Sequence, residues 1–223
     1  MGKQKQHTPA LYTKGEERLN MITHIVGGGI GVAVLVLCVV FSAVFSDGWA
    51  LGGSIVFGIS MIIIYTMSAI YHGLRPGTGK RVMRILDHCT IYLLIAGTYT
   101  PILLTAIRKE APVLAFVMFG IEWGVAALAI TLTAIDLKKY TVFSMICYLV
   151  LGWGIMVQPV TVYRALTPPG FFLILAGGIA YTIGSILYGI GKKKKYIHGV
   201  FHIFCLVGSV LQFLAVLLYC IRG

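Results

Sequence analysis

Long apolar stretches alternate with short polar connections along almost the whole chain. A helix of about 20 apolar residues can cross the hydrocarbon core of a bilayer, and seven stretches have that length. Lipid offers the backbone no hydrogen bonds, and the stretches lack the short alternating pattern of barrel strands, so helices are the predicted form. The seven stretches are Met21–Ser46, Trp49–His72, Arg84–Ile107, Pro112–Ile135, Thr141–Val160, Gly170–Ile190 and Tyr196–Ile221.

This pattern predicts an all-α fold, a seven-transmembrane-helix bundle in which residues 21–223 form one membrane domain. Residues 1–20 are polar and are predicted to form an N-terminal segment in the cytoplasm. They contain no short apolar region followed by small residues that a signal peptidase would cleave, so we expect no cleaved signal peptide.

The composition supports a membrane protein. Apolar residues make up 58% of the chain and charged residues 11%, whereas soluble domains contain about half and about a quarter, respectively. The net charge of +11 lies in short connections, so membrane lipids rather than nucleic acids are the expected partners, and the expected location is the cell membrane. The five cysteines are odd in number and have no C-x-x-C spacing, which predicts free, buried thiols. The pattern makes no prediction about oligomeric state.

The lysines and arginines predict the orientation. If there are seven spans, fourteen of these residues lie on one side of the membrane and four lie on the other. Connections on the cytoplasmic side carry the excess of positive charge, so the N-terminus is predicted in the cytoplasm and the C-terminus outside. The fourteen are Lys3, Lys5, Lys14, Arg18, Arg75, Lys80, Arg81, Arg84, Lys138, Lys139 and Lys192 to Lys195.

The last stretch carries a polar stripe. His198, His202, Cys205, Ser209 and Gln212 follow the spacing of one helix face, among Phe, Ile, Leu and Val. Polar side chains on a helix in lipid point toward other helices or toward water, so this face is predicted to line the interior of the bundle.

Other rare polar residues fall at the same predicted depth. They lie at the cytoplasmic ends of the first, second and third stretches, and they are Glu17, Asn20, His24, Ser68, His72, Asp87 and His88. A single histidine near a helix end is most often an ordinary interfacial residue. Two histidines four residues apart, with a third at the same depth, instead indicate a metal site.

The predicted metal is Zn²⁺, bound by the His198/His202 pair and a third histidine at the same depth. Three imidazoles and one open position are typical of catalytic zinc, whereas structural zinc sites are closed by four protein ligands, usually including cysteine. Glu122 is a separate case, because it is an acid in the middle of an apolar stretch. Such a residue is either functional or a protonated carboxyl bonded to a neighbouring helix.

Four motifs from the whole length of the chain form a recognisable set. They are Glu16-Glu17-Arg18-Leu19-Asn20, Ser68-x-x-x-His72, Asp87 and His198-x-x-x-His202. Together they resemble the signature of the progestin and adipoQ receptor family, and within it the small bacterial haemolysin-III-like branch. The resemblance implies seven helices, a cytoplasmic N-terminus and a zinc ion held by His72, His198 and His202. It also implies that Asp87 holds a zinc-bound water and that Ser68 lies beside the site.

Two kinds of function remain open from the sequence. Kinship of the family to alkaline ceramidases implies hydrolysis of a lipid amide, with Asp87 and Ser68 as the catalytic side chains and a lipid as the substrate. The alternative is a protein without enzymatic activity, lytic or receptor-like, in which zinc joins the helices. The chain lacks the long N-terminal extension of the animal receptors, which argues against hormone sensing.

Overall fold

The computed structural model describes residues 12–191 and 194–222, and these form helices joined by short connections. We number the longer helices α1 to α7 in chain order. Their bounds are α1 Lys14–Phe45, α2 Gly48–Gly73, α3 Thr78–Ile102, α4 Pro112–Ile135, α5 Thr141–Gly152, α6 Pro159–Gly191 and α7 Ile197–Ala215. Two of them continue as π-helix, α3 through Leu103–Ile107 and α7 through Val216–Ile221.

The helices confirm the all-α class and the membrane assignment. Within the described residues, six helices are long and apolar enough to cross a bilayer. The exception among α1 to α7 is α5, which has 12 residues. A 3₁₀ segment, Gly154–Val157, follows it and carries the chain further. The fifth predicted stretch, Thr141–Val160, is therefore a short helix and a tight turn rather than one continuous span.

The start of α1 differs from the predicted bound. The helix begins at Lys14, so the expected division at residue 20 falls inside it. Thr13 accepts a hydrogen bond from the backbone of Glu16, and the Glu16 side chain accepts one from the backbone of Thr13. This capping box satisfies backbone groups that the apolar pattern alone does not reveal. Residues 1–11 of the predicted N-terminal segment lie outside the described residues.

Helix α6 also begins earlier than expected, at Pro159 rather than Gly170. It is interrupted at Thr167, whose φ of 58° and ψ of 166° are not helical. Pro168 follows directly, and the proline ring disfavours helical geometry in the residue before it. The part after this break corresponds to the sixth predicted stretch.

Helix α3 lies at the centre of the bundle. The apolar window in its segment, Thr78–Glu110, is 83% buried, compared with 22 to 44% for the other five long helices. Helix α2 packs against it, and helix α1 packs against α2. A Cβ atom on Gly27 of α1 would lie 2.4 Å from the Tyr65 ring of α2, so only glycine permits this approach. The close contact brings the start of α1 to the end of α2.

The bundle has two ends of different character. The start of α1, the end of α2, the start of α3 and the start of α7 meet at one end, which we call the histidine end. The opposite end, which we call the Asp47 end, holds the connection between α1 and α2. There Arg222 lies over the rings of Phe41 and Phe45, with distances of 5.6 and 5.7 Å to the ring centroids. The start of α1 and the end of the described chain therefore lie at opposite ends.

Candidate metal centre

Three histidines from two helices meet at the histidine end. His72 lies in the last turn of α2, and His198 and His202 lie in the first two turns of α7. All three are buried, with exposed fractions of 3, 7 and 2%. One ring nitrogen from each lies within 4.8 Å of the other two. The structure thus brings together the three predicted ligands, and the group contains no cysteine, aspartate or glutamate.

The ring nitrogens lie close enough together that they could hold one cation. The Nε2 atoms of His198 and His202 are 3.0 Å apart, and Nε2 of His72 is buried with no hydrogen-bond partner. A buried polar atom without a partner is costly, whereas a metal ion would satisfy several lone pairs at once. Neutral imidazole is a ligand that zinc prefers. The donor set therefore fits the ion predicted from the sequence.

Helix α1 fixes the orientation of His72. Its Nδ1 lies 2.7 Å from Oε2 of Glu17, so the ring donates its N–H to the carboxylate and turns Nε2 toward the other histidines. Lys80 approaches the same carboxylate from the start of α3, with its Nζ 2.8 Å from Oε1. The Lys80 side chain is only 6% exposed. Lys80, predicted only as a charge in a connection, is thus a buried partner of Glu17.

His202 and His198 have different surroundings. Oγ1 of Thr23, also on α1, lies 3.4 Å from Nδ1 of His202. The ring of His198 instead stacks on Tyr12, with centroids 4.7 Å apart, and its Nδ1 has no hydrogen-bond partner. Helix α1 therefore orients two of the three rings through polar contacts, and the third is held by an aromatic contact.

A fourth histidine lies against the group. The ring centroid of His24 on α1 is 3.9 Å from that of His202, and both of its ring nitrogens are buried without a partner. The sequence analysis placed His24 at this depth but did not predict the contact. Its spacing from Glu17 and Asn20 was a usable signal, since all three lie on one side of α1.

The predicted catalytic residues line a cavity beside the histidines. Its volume is about 180 Å³, and its lining includes Ser68, Asp87, His24, His198 and His202. Ser68 is buried one turn before His72, whereas Asp87 is half-buried on α3. The cavity extends from the histidine end to Trp153 and Gln212, past apolar side chains of α2 and α3 that include Ile64, Ile91, Leu94 and Ile95.

The polar stripe of α7 is only partly exposed to this cavity. His198, His202, Cys205 and Gln212 line it. The Ser209 hydroxyl is fully buried and lies 2.8 and 2.7 Å from the hydroxyl oxygens of Tyr65 and Tyr181, respectively. The five cysteines are free, as predicted.

Glu122 does not belong to this site. It is 3% exposed on α4, and a Cβ on Gly154 would lie 2.6 Å from its Oε1 atom. Its Oε2 atom is buried without a hydrogen-bond partner. The carboxyl therefore packs against the turn that follows α5, away from the histidines.

The fold and the site define a multi-pass integral membrane protein with a buried histidine group at one end of its helices. Comparison with known proteins identifies the family. Residues 12–213 match the haemolysin-III-related family, and the chain belongs to it. It is 35% identical over 212 residues to the hemolysin-3 homolog of Bacillus subtilis (strain 168), covering 95% of this chain and 98% of the relative. It is also 35% identical over 204 residues to hemolysin-3 of Bacillus cereus, covering 92% and 91%.

Proposed function

We propose that this protein is a zinc-dependent hydrolase of a lipid amide. The observation that supports this most strongly is the buried group of three imidazoles, in which Nε2 of His72 lacks a partner while its Nδ1 is bonded to Glu17. Such a group suits neutral histidine ligands on one ion. His72, His198 and His202 are the proposed ligands.

Zinc in such a site lowers the pKa of a water to about 7 and polarises a carbonyl group. The Asp87 carboxylate accepts the proton of the attacking water and delivers it to the amide nitrogen of the leaving group. The Ser68 hydroxyl donates a hydrogen bond to the carbonyl oxygen of the substrate. The apolar walls of the cavity hold the acyl chain and exclude bulk water.

The substitution Asp87→Asn tests this proposal, because it keeps the shape of the side chain but removes the base. Zinc content is expected to stay close to one ion per chain. Hydrolysis of ceramide-like lipids in nanodiscs is expected to fall by about 100-fold or more, the usual scale for losing a general base. Undiminished hydrolysis by Asp87→Asn would remove Asp87 from the mechanism.

The second candidate is a protein without enzymatic activity in which the ion joins helices. It is favoured by the distribution of the ligands, since one lies at the end of α2 and two lie at the start of α7. A lytic or receptor-like function would be compatible with this arrangement. Wild-type protein with a full complement of zinc but no hydrolysis of any lipid amide or ester would favour this candidate.

For the topology we propose seven crossings of the cell membrane, with the N-terminus in the cytoplasm and the C-terminus outside. In this arrangement α5 and the Gly154–Val157 turn make the fifth crossing together. The charge asymmetry supports the orientation, although Lys3, Lys5, Lys192 and Lys193 lie outside the described residues. A reporter inserted after Lys195 should be cytoplasmic and one fused after the last residue should be external; the same side for both would contradict seven crossings.

A further inference from the structure

Arg84 lines two cavities at the histidine end. The first is the cavity of about 180 Å³ beside the histidines. The second, of about 110 Å³, is lined partly by Leu137, Thr141 and Ser144 around the start of α5. His88, Tyr148 and Tyr188 also line both cavities. Arg84 is therefore placed to meet a molecule that enters either space.

The donors of Arg84 are unused within the described part of the chain. A guanidinium has five N–H donors, and a half-buried one normally finds acceptors. The ion pairs found among these residues are His72–Glu17, Lys80–Glu17 and Arg108–Asp47, and Arg84 takes part in none of them. It also makes no hydrogen bond to another described residue, whereas Arg81, one turn earlier, donates to Thr78.

Among the residues that the structure describes, no acid forms an ion pair with Arg84. The hydroxyl groups of Tyr12, Tyr71 and Tyr188, which line the same cavity, can donate hydrogen bonds to a bound anion. Asp87, one turn further along α3, is the acid nearest to it along that helix, and the two side chains do not approach within the 4.0 Å of an ion pair. Glu17 is already bonded to His72 and Lys80.

We propose that Arg84 binds the anionic head group of a lipid, a carboxylate or a phosphate monoester, whose tail enters the larger cavity. A guanidinium matches both groups because two parallel N–H donors can meet two oxygens. Arg84 lies one helical turn from Asp87, so the head group would sit beside the histidines. The tail would then lie against Ile91 and Leu94 on the same helix.

For the proposed hydrolase, Arg84 would make an anionic lipid amide a better substrate than a neutral ceramide. That reading rests on the proposed hydrolase activity, whereas binding of the anionic lipid does not. The nearby Asp87 carboxylate repels the anion, so the expected preference over a neutral lipid is moderate.

The test is a binding measurement on protein freed of metal with a chelator, so that no anion can bind through an ion at the histidines. Dodecanoate and dodecyl phosphate are compared with dodecanol as competitors of a fluorescent dodecanoate analogue in nanodiscs. The wild-type protein is expected to bind both anions at least about tenfold more tightly than dodecanol, the scale of a charged hydrogen bond. Arg84→Gln is expected to abolish this preference.

Arg81→Gln is the matched control, because it removes the same charge from an exposed position one turn away that lines neither cavity. It should leave the preference unchanged. Arg84→Lys, which keeps the charge without the paired donors, should give an intermediate value and covers the case in which Arg84→Gln does not fold. Equal binding of anionic and neutral lipids by the wild type, or an equal loss in Arg81→Gln, would overturn the inference.

Competition by inorganic phosphate tests whether the site binds a lipid head group or free phosphate. If it competes as strongly as dodecyl phosphate, the site binds free phosphate and the lipid assignment is wrong. A preserved anion preference in a protein that hydrolyses nothing would refute the proposed activity and leave the binding site standing.

Discussion

The two ends of the bundle both carry charged residues but use them differently. At the Asp47 end, Asp47 accepts the backbone N–H of Ala50 at 2.9 Å and pairs with Arg108 at 2.6 Å, and its side chain is 45% exposed. At the histidine end, Glu17, Lys80 and four histidines are packed between helices, and several of their polar atoms have no partner.

The contrast indicates that the charged residues of the Asp47 end stabilise the fold, whereas those of the histidine end prepare a binding site. At the Asp47 end, a helix cap and an exposed ion pair satisfy the backbone N–H group and the charges, and water also solvates these groups. Burial of so many ionisable groups at the other end costs free energy, and the unpartnered nitrogens show that the protein alone does not recover it. Such an arrangement is expected where a ligand completes the site.

The largest effect should come from the proposed ligands. His72→Ala, His198→Ala and His202→Ala should each reduce zinc from about one ion per chain to a small fraction, measured by elemental analysis of purified protein. Because the ion binds the folded form, chelation should also lower the melting temperature of the wild type but not that of these variants. Full zinc occupancy in the His198→Ala/His202→Ala double variant would refute the site.

A smaller effect is expected at Glu17, which orients His72 without being a ligand. Glu17→Gln should weaken zinc affinity by about 10- to 100-fold, the range for groups that hold a metal ligand in place. Affinity can be measured by competition with a chromogenic chelator.

Glu16→Gln is the control for Glu17, since Glu16 is the preceding residue but bonds to Thr13 and to the backbone N–H of Tyr196. It should lower thermal stability and leave zinc affinity nearly unchanged. Equal losses of affinity in both variants would mean that Glu17 has no specific effect on His72.

The smallest effect is expected at the Asp47 end. Asp47→Ala removes the cap of α2 and should cost about 1 kcal/mol, which lowers the melting temperature by about 2–4 °C in a chain of this size. Zinc content should not change. A loss of zinc in this variant would mean that the two ends are coupled.

The charge of Asp47 makes the stability of the protein depend on pH. The N–H of Ala50, and after it the Arg108 guanidinium, hold the pKa of Asp47 below its ordinary value of 3.8. A lowered pKa in the folded protein means that the carboxylate stabilises above pH 3.8 and that this stabilisation is lost as the pH falls through the lowered pKa. The small difference in melting temperature between wild type and Asp47→Asn should therefore vanish in acid and shrink in high salt.

The sequence predicted the helical class, the membrane assignment and the family, and these are confirmed. It predicted the depth of each polar residue because helices in lipid have defined lengths. It did not predict how each helix is rotated about its axis, since that depends on packing such as the contact of Gly27 with Tyr65. The contact of His24 with His202 and the burial of Lys80 both follow from rotation and were therefore missed.

The helix breaks were predicted less well than the helices. Hydropathy averages over many residues and does not register single backbone angles. The tight turn after Gly152 arises from local geometry within apolar sequence, whereas the interruption at Thr167 lies in the predicted connection between the fifth and sixth stretches.

The hydrogen bond from the backbone of Tyr196 to Glu16 has a consequence for biosynthesis. It joins residues 180 positions apart, at a distance of 2.8 Å. The first helix emerges from the ribosome long before α7, and α7 carries two of the three grouped histidines. Glu17 can meet His72 and Lys80 once α3 is inserted, whereas Glu16 meets the backbone of Tyr196 only when α7 arrives, and the histidine group is completed at that point. A nascent chain stopped before α7 should be inserted in the membrane and still lack this group, which makes the site a marker of α7 insertion.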